Sequence, residues 1–291
     1  MEHQLWVTHW VNAVLGRPVA AVLHALGVQV ARPEAPIPDH VAMELVVLLL
    51  AACFFVVVRL RLSVERPGAV QQFLEALLTN PLGLGVRDLV ENFIGHGGEI
   101  YLPMLGSVGL FVLFCNLISL VPTLESPTAE KTVPLGCALV AFLYYHWCGL
   151  RRRGPVHYGA HFLGPLAVMG KAVGQLEGWV RWLAAPIVGL VSLAMPVVEL
   201  FSHLARIVSL TARLWANMLA SETLYSLFLG LTLGIYMFAE RLGPAGQIAA
   251  AVPLLGPLVF IGLHVFVAFV QAFVFTILPT IYVAGAVAEA H

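Results

Sequence analysis

The sequence is poor in charge. Of 291 residues, 15 are Lys or Arg and 16 are Asp or Glu, 11% in all, against about 25% in soluble domains. Hydrophobic residues make up 60%, against about 45–50%, and mean hydropathy is +0.90. So little charge over this length excludes a soluble one- or two-domain protein and a disordered chain, and it makes the bilayer the solvent. The formal net charge of −1 leaves no basic excess for nucleic acid. Cysteine is scarce too. Cys53, Cys115, Cys137 and Cys148 never meet at CxxC spacing, and all lie in or beside apolar runs. A disulfide scaffold is excluded, and buried small apolar side chains are expected instead. No metal or cofactor site is expected. Residues 1–30 hold no compact apolar stretch behind a basic start, so no cleavable signal peptide is expected. No internal repeat is evident.

What the chain has is apolar runs. A span needs about 20 apolar residues, because the hydrocarbon core is about 30 Å thick and a helix rises about 1.5 Å per residue. Val41–Val58, Pro103–Leu120 and Val133–Leu150 qualify. The first ends at Arg59 and Arg61, the third at Arg151, Arg152 and Arg153. Residues 67–100, with Pro81 and several glycines, read as an amphipathic surface segment. Residues 154–178 read as loop or interfacial structure. From Trp182 to His291 only Glu199, Arg206, Arg213, Glu222, Glu240, Arg241 and Glu289 are charged. The stretch from Glu240 to Gly246, with Gly243 and Pro244, is the expected turn. Each arm beside it runs about 40 residues or more, too long for one upright span. The first arm must break near Pro186 or Pro196, tilt steeply, or both. Basic loops mark the cytoplasmic side, which puts the N-terminus outside and the C-terminus inside after five crossings. The expected fold is all-α and polytopic. It has an N-terminal interfacial segment (1–38), three membrane helices with a surface segment (39–178) and a long tilted hairpin (179–291).

A charge within a span costs about 2.5–3.5 kcal/mol on insertion scales and marks a pathway or a buried pair. The first long arm carries Glu199, His203, Arg206, Arg213, Asn217 and Glu222. At about 100° per residue, Glu199, His203, Arg206, Arg213 and Asn217 share one stripe about 80° wide, and Glu222 points to the opposite side from Arg213. Ser209, Ala212, Ala216 and Ala220 keep the neighbouring surface small, open to a close partner helix. The second arm carries His264 and Gln271. Folded about Gly243, Glu222 stands 21 residues before the turn and His264 stands 21 after it. Arg213 stands 30 before and Gln271 stands 28 after. Equal distances mean equal depth, so Glu222 is expected beside His264 and Arg213 beside Gln271. Glu and His exchange protons near neutral pH. Arginine does not deprotonate, so Arg213 is a fixed positive barrier, and Gln271 can hydrogen-bond it.

These residues carry a resemblance. Pro196-Val197-Val198-Glu199-Leu200-Phe201-Ser202-His203-Leu204-Ala205-Arg206, followed by Ser209 to Met218, resembles the signature of subunit a of F-type ATP synthases. His264 to Phe275, Leu113 to Pro122, Tyr101-Leu102-Pro103 and His161 to Pro165 are similar to other segments of that family. The resemblance implies a non-catalytic stator in a bacterial inner membrane. It would lie against a rotating ring of c subunits and a peripheral stalk of subunit b, and the coupling ion would be the proton. It implies two offset half-channels: Glu222 and His264 in the outer one, Glu199 and Ser202 in the inner one. Arg213 would stand between them, with Asn217 and Gln271 as polar neighbours; His203 and Arg206 lie on the same stripe. Trp215, Ala216 and Ser221 depart from the usual pattern without removing an ionisable group. A self-contained channel or transporter would instead conduct by itself, and a haem- or quinone-linked subunit would place histidine pairs inside spans. His157 and His161 have metal-ligand spacing but fall in the segment read as loop. Glu44, in the first span, is assigned no role.

Overall fold

The computed structural model describes residues 5–28, 32, 35–79, 85–95, 97–121, 124–162, 179–241 and 255–287. Among these every regular element is a helix. In chain order they are α1 (Trp6–Ala25), α2 (Asp39–Leu60), α3 (Ala69–Leu78), α4 (Val86–Ile94), α5 (Leu102–Leu117), α6 (Thr132–Arg153), α7 (Pro155–Phe162), α8 (Trp179–Glu240) and α9 (Leu255–Val287). Short 3-10 turns flank α5 at Gly98–Tyr101 and Ile118–Leu120, and another lies at Pro127–Ala129. Among the described residues five stretches are long and apolar enough to cross a membrane: Asp39–Leu60, Gly98–Leu120, Thr132–Arg153, Val188–Ala239 and Gly256–Val287.

Helix boundaries follow local chemistry. Asp39 opens α2 just after Pro38, where a carboxylate suits the positive end of the helix dipole. The same carboxylate accepts the Leu5 amide at 3.2 Å. Asn12 then clasps Ile37, two residues ahead of α2, in both senses, donating to Ile37 O at 2.9 Å and accepting from Ile37 N at 3.0 Å. These bonds fasten α1 to the head of α2. Three arginines crowd the last turn of α6, where the dipole favours cations. Gly154, at φ +76°, ends that helix, a conformation that costs glycine nothing.

The segment expected to lie on the surface holds two short helices, α3 and α4. Leu89 and Val90 of α4 are buried. Val90 packs with Val283, Ala286 and Val287 at the end of α9. On the outer side of α4, Arg87 bridges Glu91 at 3.1 Å and Glu99 at 2.6 Å. The expected loop after Arg153 is a helix at its start, because Tyr158 anchors α7. A side chain at Gly149 would collide with the Tyr158 ring, so the missing Cβ lets α7 dock flat on α6. His157, on α7, is exposed. The His161 side chain and residues 163–178 lie outside the described residues.

The long arm does not break. α8 runs 62 residues straight through Pro186 and Pro196, about 93 Å at the standard rise, and the 33 residues of α9 span about 50 Å. Both exceed the roughly 30 Å hydrocarbon core, so neither stands upright. Proline within a membrane helix is tolerated because neighbouring groups satisfy the freed carbonyls. The expected turn at 242–246 lies outside the described residues. α9 is the hub: it packs on α4, α5, α6 and α8. At Gly109 the α5 backbone comes so close to Thr276 of α9 that no side chain fits. Val112, Cys137, Ala138, Leu210, Leu214, Met218 and Phe275 form one core joining α5, α6, α8 and α9.

Candidate ion path

The faces of α8 decide where its polar groups point. His203, Leu210, Leu214, Met218 and Thr232 are buried. At about 100° per residue these five fall within a sector roughly 80° wide. Measured from His203, Arg213 sits about 80° to one side of that sector and Glu222 about 100° to the other. The polar stripe read from the sequence therefore straddles the edge of the packed face. His203 is buried, Glu199 and Arg206 are half-buried, and Ser202, Arg213 and Asn217 are exposed.

Glu222 and His264 are brought together. With Ser119, Leu120, Tyr225 and Ile261 they line a cavity of about 30 Å³, room for a water molecule. Ser119 links them, bonding Nε2 of His264 at 3.1 Å and interacting with the Glu222 carboxylate. The Ser126 amide donates to Glu222 Oε1 at 2.9 Å. His264 Nε2 lies 2.9 Å from Asn116 O. A carbonyl only accepts, so Nε2 carries the imidazole proton. Nδ1, 2.7 Å from Ser221 Oγ, is then the acceptor. Around this pair runs a buried chain of small polar groups. Ser126 Oγ donates to Cys115 O at 2.9 Å and lies 2.6 Å from Thr128 Oγ1. Thr128 Oγ1 donates to Asn116 Oδ1 at 2.6 Å.

A second cluster surrounds His203. Its Nδ1 is 2.6 Å from the Tyr145 hydroxyl, with the two rings stacked at 19° and 5.9 Å. Its Nε2 faces Glu199 Oε1 at 3.6 Å. Arg206 lies over the Tyr282 ring at 4.9 Å. His146, the next residue on α6, stands 5.0 Å from His203 ring to ring and bonds the Tyr158 hydroxyl at 2.7 Å. Burial pushes the Tyr158 phenol up from its ordinary pKa, so it stays protonated and donates.

Arg213 lies between the clusters. It is nine residues from Glu222 and ten from His203, about 14 and 15 Å along the axis. Ser209, Ala212, Ala216 and Ala220 are exposed beside it, leaving a shallow open flank. Gln271 is buried, with Oε1 unpartnered among the described residues. No hydrogen bond joins it to Arg213 among the described residues. The two share a depth by residue count but not a direction.

The sequence now has relatives to stand beside. A family model described as ATP synthase A chain matches residues 41–284. The chain belongs to that family. It is 38% identical to ATP synthase subunit a of Koribacter versatilis over 291 residues, all of both chains. It is 39% identical over 260 residues to subunit a of Solibacter usitatus, 89% of this chain and 91% of that one. Subunit a of Sulfurihydrogenibium is 31% identical over 253 residues, 87% of this chain and 99% of that one. Family membership and five spanning stretches make the chain a multi-pass component of a bacterial-type ATP synthase.

Several groups at these sites escaped the sequence. Ser119, Ser126, Thr128 and Asn116 come from segments about 100 residues before Glu222, and no periodicity connects them. Glu125, exposed, is close enough to act on the Glu222 charge. Tyr145 and His146 did carry a signal: an adjacent phenol and imidazole within a span are costly unless partnered.

Proposed function

We propose that this chain is the stator that carries protons between two half-channels and a rotating ring of c subunits, with Arg213 as the barrier between them. The observation that supports this best is the position of Arg213. It is a permanent cation on the open, small-residue flank of α8, about equally far from two polar clusters. A partner helix bearing a carboxylate can approach that flank closely. Basic loops put the Glu222 cavity on the outer side and the Glu199 cluster on the inner side.

The cycle runs as follows. A proton entering through the cavity passes Glu222 and His264 and neutralises a ring carboxylate. The neutral carboxyl can face lipid, and the ring turns. A carboxyl reaching the inner side gives up its proton towards Glu199 and His203. Arg213 then attracts the ionised carboxylate, and because it never releases its own proton, it blocks a direct leak. Asn217 and Ser202, exposed along the same flank, offer hydrogen bonds to the passing carboxylate. The unpartnered Oε1 of Gln271 is an acceptor for the guanidinium when Arg213 turns inward. The chain makes no ATP itself; that chemistry belongs to other subunits.

The test is ATP-driven proton pumping, measured beside passive leak, in membranes holding the complete complex with Arg213→Ala. Pumping should disappear while leak persists or rises. Normal pumping would remove the arginine from the mechanism.

A further inference from the structure

A buried polar contact on the inner side comes from a helix that the cycle above does not use. Tyr145, on α6, is almost completely buried at 2% exposure. Its hydroxyl reaches across to α8 and meets His203 Nδ1 at 2.6 Å. A phenol near neutral pH holds its proton, so it donates to that nitrogen. The imidazole proton must then reside on Nε2, the atom facing Glu199 at 3.6 Å. Phe142 and His146 close the other sides of the His203 ring, which leaves it little freedom to turn over.

We propose that Tyr145 is a positioning residue for the inner end of the ion path, its hydroxyl holding His203 in the Nε2–H form that points at Glu199. Either state of the histidine suits the phenol oxygen. It donates to neutral Nδ1, and it accepts from Nδ1–H when His203 becomes a cation. The ring therefore takes up and releases a proton at Nδ1, where the phenol turns from donor to acceptor, and Nε2–H keeps its aim at Glu199 in both states. The ionisable groups facing His203 are Glu199 and Arg206 on α8 and Tyr145 and His146 on α6. Tyr158 on α7 and Tyr282 on α9 stand one contact further out, bonded to His146 and stacked under Arg206. Two histidines and Arg206 so close together penalise a second positive charge. Glu199 is the one carboxylate among these groups, and Nε2 must face it for a cationic ring to be tolerated. The proposal rests on the reading of the Glu199 side as the proton exit.

Tyr145→Phe keeps the ring and its stacking and removes only the hydroxyl. In inverted membrane vesicles carrying the whole complex, pumping is followed across about pH 6 to 9, the range around an imidazole titration, and normalised to assembled enzyme. The variant should lose roughly ten-fold in rate, the upper scale of one lost hydrogen bond, and the midpoint of its pH profile should move. His203→Gln should cost a similar factor, and the double variant should be no worse than His203→Gln alone. A Tyr145→Phe profile that is a scaled copy of the wild type, or effects that multiply, would overturn the assignment. A second measurement needs no mutant to fold: nitrogen NMR of the wild-type complex with labelled histidine should find His203 protonated at Nε2. Protonation at Nδ1 would sink the idea. Failure of the underlying exit reading looks different, since Glu199→Gln would then pump normally.

Discussion

The two clusters on α8 use a histidine differently. At Glu222, His264 gives its Nε2 proton to a backbone carbonyl, Asn116 O, and takes a serine hydroxyl at Nδ1. Its surroundings are small hydroxyls and peptide groups beside a water-sized cavity. At Glu199, His203 takes a phenol at Nδ1 and turns Nε2 towards a carboxylate. Its surroundings are stacked rings. One histidine is tied to the main chain, the other aimed at an acid. On the proposed reading, Glu222 carries the outer proton with His264 beside it, and the inner histidine shares a proton with its acid.

Substitutions should separate the two. The largest effect is expected from Glu222→Gln, which cannot release a proton. Pumping should fall about a hundred-fold, in the range of a lost acid–base group, and the loss should depend on outer rather than inner pH. Equal sensitivity to both sides would erase the contrast. Gly149→Val comes next. It forces a side chain into the Tyr158 ring, and overpacking of this kind costs about 1–3 kcal/mol. Thermal stability of the assembled complex should drop, and the inner-side pH profile should change while the outer one holds. A change confined to the outer profile would contradict the placement of α7. The smallest effect belongs to Ser126→Ala. It removes the hydroxyl bonds to Cys115 O and Thr128 but keeps the amide that holds Glu222, for a cost of about 1 kcal/mol. Proton uptake should fall by a few-fold at most, and a collapse comparable to Glu222→Gln would show that the hydroxyl rather than the amide serves the carboxylate.

The sequence was most informative where geometry is one-dimensional. Counting residues from Gly243 placed Glu222 level with His264, because two antiparallel helices climb at the same rate. The same count put Arg213 level with Gln271, yet Gln271 turns into the packed side of α9 and Arg213 stays on the flank of α8. Depth follows from counting, whereas direction depends on what each helix packs against. Length and prolines left a break, a tilt or both open for the first arm, and α8 is continuous through Pro186 and Pro196. The donors around Glu222 lay beyond reach for a different reason: they come from segments joined only by folding. Tyr145 and His146 went unread although a phenol and an imidazole inside a span carry a signal.

Both clusters and the arginine hang on one uninterrupted helix, and this constrains how the sequence can vary. Between His203 and Glu222 an inserted residue lifts one site by about 1.5 Å and swings it by about 100° relative to the other. Four inserted residues leave about 40° of error, and seven leave about 20° with a displacement near 10 Å. No small insertion or deletion preserves both height and heading. Substitutions can accumulate along this stretch, but its length is frozen.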